Sequence, residues 1–354
     1  MKKSFLITTG GSGGHVIPAE ILCEHLSKDY NIIISTDKRG LKYFDKETHQ
    51  FEIIDTPKLS NILILPFNLI MILFLTLKSF FLLKKKRIKK VFSTGGYMSL
   101  PIILASKLLN LDIYLLEPNQ VLGRANKYFL KFSKNIFCYT EKIKNFPNIY
   151  KNKIIIIKPL VKRNIYEINL NYKTKNKFTL LIVGGSQGAN IFDKNLKDIV
   201  VNLSKKIPIK IIQQTSKQNI SILKDHYLKN NIESKIFNFD QNFFENIQKS
   251  DLSITRAGAS TLAELSILNI PFIAVPLPTS KDNHQFENAK FYKDNDCCWI
   301  IDQNYFDEKI EDLLKDILSN KSDYNKKKEN LKKLNYQNSW INVNQKILKI
   351  INEN

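Results

Sequence analysis

Residues 253–276 read SITRAGASTLAELSILNIPFIAVP, and the pattern changes three times along them. An apolar run ends at Thr255, and Arg256 and Gly258 punctuate it. Leu262, Leu265 and Leu268 then recur at helical spacing, and Pro271–Val275 is apolar again. The order strand, glycine turn, helix, strand predicts a parallel α/β sheet. A turn of small residues at a helix N-terminus presents backbone N–H groups, which suits an anionic or hydroxyl-rich ligand. Glu264 reads two ways: as an acceptor for two ribose hydroxyl protons, or as an early-helix acid favoured by the helix dipole. On this stretch alone the second reading is preferred.

The same plan opens the chain. Phe5–Thr8 reads as a strand, Gly10-Gly11-Ser12-Gly13-Gly14-His15 follows, and Ala19, Leu22, Cys23 and Leu26 mark one face of a helix. The apolar part of Met1–Thr9 is too short for a signal peptide. The turn is neither the dinucleotide fingerprint, whose third glycine falls on Val16, nor a Walker loop, which ends in Gly-Lys-Ser/Thr. Asp37 follows the next strand and, without that fingerprint, is expected to be a loop residue. His15 sits at the mouth of the turn. A neutral imidazole there suits proton removal from a hydroxyl, while a helix-start His bonded to backbone is the simpler reading of one unaided His.

Ile62–Leu83 is the most apolar stretch and runs into Lys84-Lys85-Lys86-Arg87. It approaches the length that spans a bilayer. A crossing would separate the Gly10 turn from the Gly95-Gly96 turn, and Pro66, Asn68 and Lys78 interrupt the run. A helix lying in the membrane interface, with its lysines on lipid head groups, is the preferred expectation over a buried core helix. Beyond it, Val91–Thr94 and Asp112–Leu116 read as strands. The second ends at Glu117-Pro118-Asn119-Gln120, where Asn119 is either a sugar contact or turn chemistry.

The second half repeats the scheme. Thr179–Val183 is a strand and Gly184-Gly185-Ser186-Gln187-Gly188-Ala189 a glycine turn, followed by a helix with Phe192, Leu196, Ile199, Val200 and Leu203 on one stripe. Two such halves facing each other would form a cleft for an activated, phosphate-bearing substrate. The 354 residues suffice for two cores. The expected domains are 1–160 and 161–335, with a closing helix over 336–354 that packs back on the first. The net charge of +21 is spread along the chain with no zinc-finger spacing or aromatic-rich basic repeat, so no nucleic-acid partner is expected. The four cysteines form no CxxC pair, which fits reduced thiols. No carboxylate pair marks a metal site, and no cofactor is expected.

Four blocks in order, GGSGGHVIPA (10–19), STGGYMSLP (93–101), GGSQGA (184–189) and TRAGASTLAEL (255–265), with PFIAVP and SKDNHQFENA after them, resemble one bacterial family. Its members transfer N-acetylglucosamine to undecaprenyl-diphospho-N-acetylmuramoyl-pentapeptide, converting lipid I to lipid II. The resemblance implies a GT-B architecture: two Rossmann-like, doubly wound parallel-sheet domains facing across a cleft. The first domain would bind undecaprenyl-linked lipid I and an anionic membrane surface at the cytoplasmic face of the inner membrane. The second would bind UDP-N-acetylglucosamine.

Carried onto this chain, the resemblance gives His15 as general base or organiser of the acceptor site. Ser12, Gly13 and Gly14, with Ser186 and Gln187, are given to the donor diphosphate. Ala259, Ser260 and Thr261 go to the nucleotide sugar, Glu264 to ribose, Asp240 to uracil through its backbone, and Asn119 and Gln285 to the transferred sugar. Tyr97, Ile62, Leu73, Phe74, Lys84 and Lys85 are the acceptor and membrane residues. Three departures stand out. The usual HEQN is Leu116-Glu117-Pro118-Asn119, the usual GNPVR is 157–161 without its Arg, and His284 replaces a Gln. The alternatives are a relative acting on another lipid such as diacylglycerol, and a non-catalytic sugar-nucleotide-binding membrane protein.

Overall fold

The computed structural model describes residues 2–45, 47–58, 63–168, 176–184, 190–240 and 243–353. The chain divides into two compact units, 1–163 with 339–354, and 164–338. The boundaries expected at 160 and 335 fall three residues short of these.

The first unit is built on seven strands: β1 (Lys3–Thr8), β2 (Tyr30–Thr36), β3 (Gln50–Ile53), β4 (Lys90–Ser93), β5 (Asp112–Glu117), β6 (Asn135–Cys138) and β7 (Ile154–Ile156). Their order is β3-β2-β1-β4-β5-β6-β7, and every pairing is parallel. Both faces of such a sheet are covered, so its central strands read as unbroken apolar runs. Alternation along β1 shows the two faces. Phe5 and Ile7 join a core with Leu22 and Leu26 of helix Gly13–Leu26. Leu6 joins a second core with Leu75 and Leu83 of helix Leu65–Lys85 and Ile102 of helix Leu100–Leu108.

Helix Trp340–Asn352 belongs to this unit. Val343, Ile347 and Ile351 enter the first core. Trp340 stacks on the buried His25 ring at 3.6 Å, and Asn344 Nδ2 donates to the His25 carbonyl at 2.7 Å. Burial pushes the His25 imidazole down to about 3, so it packs as a neutral aromatic.

The second unit has six strands: β8 (Phe178–Val183), β9 (Ile209–Gln214), β10 (Glu233–Phe237), β11 (Leu252–Thr255), β12 (Phe272–Ala274) and β13 (Cys298–Ile300). They run β10-β9-β8-β11-β12-β13, again all parallel. The stripe read on helix Asn190–Ser204 packs as expected, with Phe192, Leu196, Val200 and Leu203 buried and Ile199 at the edge of the core. Asp193 anchors this helix to β9: its carboxylate accepts from Gln213 Nε2 at 2.8 Å and Thr215 Oγ1 at 2.5 Å.

In each sheet the strand order reverses direction once, between β1 and β4 and between β8 and β11. Loops leaving the carboxyl ends at such a reversal diverge and open a ligand crevice. The glycine turns read from the sequence leave from these strand ends.

Candidate active site

In the first unit, Thr8 of β1 lies in register with Ser93 of β4, so the turns after them start side by side. Helix Gly13–Leu26 begins after Ser12, whose side chain makes no capping bond. The N–H groups of Gly13 and Gly14 therefore open its first turn toward any anion placed there. One residue further, His15 Nδ1 lies 2.8 Å from the Thr94 carbonyl oxygen. A carbonyl only accepts, so Nδ1 carries the proton, and in the neutral ring Nε2 holds the lone pair. Thr94 is itself fixed: its N–H donates to Thr8 O at 3.2 Å, and its hydroxyl to Thr9 Oγ1 at 2.8 Å.

The two turns are keyed together by Met98. A Cβ at Gly11 would sit 2.6 Å from Met98 Cε, and one at Gly96 2.4 Å from Met98 Sδ. Both glycines also have positive φ, +80° and +86°, so only glycine fits there. The His15 ring rests on the second turn, with Cε1 3.4 Å from where a Gly95 Cβ would stand.

Asp37 is not a plain loop residue, as the sequence suggested. It caps the short helix Lys38–Leu41, and its Oδ1 accepts from both Gly40 N and Gly11 N at 2.8 Å. Its Oδ2 accepts from Arg39 Nε at 2.8 Å, and Arg39 Nη2 reaches the Tyr97 hydroxyl at 2.5 Å. Burial pushes the Asp37 carboxyl up, but the Gly11 and Gly40 N–H groups and the Arg39 guanidinium together hold it below its usual value. Glu117 is only 2% exposed. It accepts from Gly123 N at 2.7 Å, Asn126 Nδ2 at 3.0 Å and Asn119 Nδ2 at 3.0 Å. It thereby grips the amino end of the Asn119 amide.

In the second unit, Thr255 of β11 pairs with Val183 of β8, and the Arg256–Gly258 turn follows. Ser186 and Gln187 lie outside the described residues. The turn is held from several directions. Arg256 is buried over the Phe192 ring at 5.2 Å, donating to Val275 O at 3.0 Å and Gln303 Oε1 at 2.6 Å. Gln285 Oε1 accepts from Ala257 N at 3.3 Å and Leu277 N at 3.0 Å, and Asn288 Nδ2 donates to Ala257 O at 3.1 Å. Gln285 thus spends its carbonyl on the backbone of the turn.

Beyond the turn, Gly258 caps helix Ala259–Ile267 without a side-chain bond, and no atom lies within 4 Å of where its Cβ would stand. The first-turn N–H groups of Ala259, Ser260 and Thr261 follow it and receive no side-chain cap from Gly258. Glu264, half-buried, shares their face at i+3 and i+4 from Thr261 and Ser260. Asp240 Oδ2 accepts from Lys235 Nζ at 2.7 Å and Asn246 Nδ2 at 2.9 Å, which directs its side chain into its own unit.

Residues 5–138 match the glycosyltransferase family 28 N-terminal domain, and residues 179–339 the C-terminal domain of the same family. A UDP-N-acetylglucosamine–N-acetylmuramyl-(pentapeptide) pyrophosphoryl-undecaprenol N-acetylglucosamine transferase of Pelagibacter ubique is 46% identical over 356 residues, covering 100% of both chains. The chain belongs to glycosyltransferase family 28.

A family 28 protein of the same description from Rickettsia typhi is 36% identical, covering 90% of this chain and 92% of that one. The crystal structure of Acinetobacter baumannii MurG covers 99% of this chain and all of its own, with TM-score 0.78 at 23% identity. The fold is therefore GT-B.

One element of this family 28 chain is turned inside out. Helix Leu65–Lys85 buries Asn68, Thr76 and Ser79 beside Ile72, Leu75 and Leu83, and it packs against helix Leu100–Leu108. Its outer face carries Phe67, Ile70, Leu73, Phe74, Leu77 and Phe81, each more than half exposed. The buried core helix weighed from the sequence is thereby excluded. Lys84 and Lys85 are exposed at its end, with Lys84 Nζ 5.0 Å from the Phe80 ring centroid. Ile62 lies outside the described residues.

Sequence reasoning missed Arg39, Met98, Glu117, Asn126, Arg256 and Asn288 as members of the site. Met98, Arg256 and Asn288 lie inside the blocks read from the sequence, but their contacts are made by tertiary packing that those blocks do not spell out.

Proposed function

We infer that this chain transfers N-acetylglucosamine from UDP-N-acetylglucosamine to the 4-hydroxyl of N-acetylmuramic acid in lipid I, with inversion, giving lipid II. The observation that carries this is full-length likeness, at 46% identity, to a transferase of that description. The chemistry follows from the two turns. The acceptor O4 attacks the anomeric carbon, the O4–C1 bond forms and the bond from C1 to the diphosphate oxygen breaks. The proton of O4 passes to His15 Nε2, the ring nitrogen left with a lone pair by the Thr94 bond. UDP leaves with the bonding electrons. The negative charge that builds on its diphosphate is stabilised by first-turn N–H groups at helix N-termini, those of Gly13, Gly14 and Ala259–Thr261. Glu264 accepts ribose hydroxyl protons, Ser186 and Gln187 serve the diphosphate, and Asn119 and the Gln285 amino end contact the transferred sugar.

The membrane carries the acceptor, and helix Leu65–Lys85 is the element that meets it. The helix is about 31 Å long at 1.5 Å per residue, and it is apolar enough to cross a bilayer. However, β3 before it and β4 after it belong to one sheet, so a crossing would tear the unit apart. An interfacial helix accommodates both facts: its exposed phenylalanines enter the acyl boundary while Lys84 and Lys85 meet anionic head groups. The chain then works as a peripheral protein on the cytoplasmic face of the membrane.

The test is incubation of the purified protein and labelled UDP-N-acetylglucosamine with either a lipid I analogue or diacylglycerol in mixed micelles. Label in a disaccharide-linked lipid I product supports the inference. Label only in diacylglycerol, or donor binding with no transfer, contradicts it.

A further inference from the structure

We propose that Arg39 is a positioning residue for the acceptor substrate, acting through Tyr97. The Arg39 guanidinium is anchored by the buried Asp37 carboxylate, whose other oxygen holds Gly11 N. From that anchor, Nη2 donates to the Tyr97 phenolic oxygen at 2.5 Å, with the guanidinium carbon 5.7 Å from the ring centroid. A guanidinium has no acceptor capacity, so the phenolic hydrogen cannot be returned to it. Among the described residues the Tyr97 O–H has no acceptor. Its hydrogen is left to point away from Arg39, and the cation bound to its oxygen makes it a stronger donor.

Tyr97 follows directly on Gly95 and Gly96, the turn that seats His15. A donor fixed there, on the unit that carries His15, takes an acceptor oxygen of the incoming substrate. Because Arg39 already donates to the phenolic oxygen, Tyr97 serves the substrate as a donor, and the acceptor oxygen it takes is one a lipid-linked muramoyl pentapeptide supplies, a phosphoryl or amide carbonyl oxygen. The Asp37 carboxylate thus orders two things at once: the Gly11 turn directly, and the Tyr97 hydroxyl through Arg39.

This proposal rests on the transferase reading above, and the experiment separates the two. Steady-state kinetics are measured for the full-length wild type, Arg39→Ala, Tyr97→Phe and the double variant. Two acceptors are used, a lipid I analogue with its diphosphate and one with a neutral linker in its place. The expected result with the first acceptor is a rise of about tenfold or more in acceptor KM for Arg39→Ala, with donor KM and UDP affinity unchanged. The double variant should be no worse than Tyr97→Phe, because Arg39 acts only through that hydroxyl. If the oxygen is phosphoryl, the neutral-linker acceptor loses the difference between wild type and Tyr97→Phe; if it is an amide carbonyl, the difference persists. An unchanged acceptor KM in Arg39→Ala overturns the proposal, as does an Arg39→Ala effect of full size in the Tyr97→Phe background. Wild type that transfers to neither acceptor sinks the transferase reading itself.

Discussion

His15 Nδ1 and the Thr94 carbonyl oxygen are 2.8 Å apart although 79 positions separate the two residues in the chain. The carbonyl holds the imidazole, while the Thr94 side chain turns away to Thr9 Oγ1. Thr94→Val keeps the first contact and removes the second. Stability should fall by about 0.5–1.5 kcal/mol, and kcat by less than about threefold, a small change beside those tied to His15 itself. Urea denaturation and transfer assays on the same preparation check both.

The Met98 side chain is a spacer between two turns. Met98→Ala leaves a cavity against Gly10, Gly11 and Gly96 and should cost about 2–5 kcal/mol. Gly11→Ala should also destabilise, through its clash with Met98 Cε and its positive φ. In the double variant the clash disappears while the backbone strain persists. The combined loss should therefore be smaller than the sum, which a double-mutant cycle of unfolding free energies measures directly.

Asp37 gives a pH dependence of known sign. Its carboxyl lies below the usual range in the folded protein, so the stabilisation it gives is complete above the unfolded-state value of about 3.9. That stabilisation is lost as pH falls through the lower folded value. Asp37→Asn should cost about 1–3 kcal/mol at pH 7, because one of the groups now held by the carboxylate loses its acceptor. The gap between wild type and variant should narrow as pH drops below about 4. Paired denaturation curves across that range check the direction, and a gap that widens toward acid contradicts it.

The architecture was legible where local pattern and tertiary need agree. Phe5–Thr8, Thr179–Val183 and Ser253–Thr255 are apolar because both sheet faces are covered, and Gly10 and Gly11 after the first mark a sharp turn at its carboxyl edge. On helix Leu65–Lys85 the apolar run did not say which residues turn inward: Asn68, Thr76 and Ser79 are inside, beside Ile72, Leu75 and Leu83. The three polar side chains are satisfied locally, Asn68 by Lys58 O and the hydroxyls by carbonyls one turn back, so their burial costs little. The backbone roles of Asp37 and Gln285 were not legible for a different reason. Their partners, Gly11 and Ala257, lie 26 and 28 residues away, and a hydrogen bond across that distance leaves no periodicity in the sequence.

The exposed phenylalanines make the membrane contact testable. Phe67, Phe74 and Phe81 are 67%, 65% and 66% exposed. Replacing all three with Ser removes roughly 1.5 kcal/mol or more of apolar transfer each, about a thousandfold in partitioning. Flotation with anionic vesicles should lose the triple variant while its melting temperature holds, since these side chains support no core. Vesicle binding equal to wild type would show that another surface meets the lipid.

The decisive measurement is single-turnover transfer of labelled N-acetylglucosamine to a lipid I analogue by wild type and His15→Ala, with UDP affinity measured alongside. Wild type should form the disaccharide lipid, and the variant should bind UDP with nearly wild-type affinity while transferring at least about a hundredfold more slowly. Equal rates in the two proteins would contradict the role given to the imidazole, and no product from wild type would contradict the reaction itself.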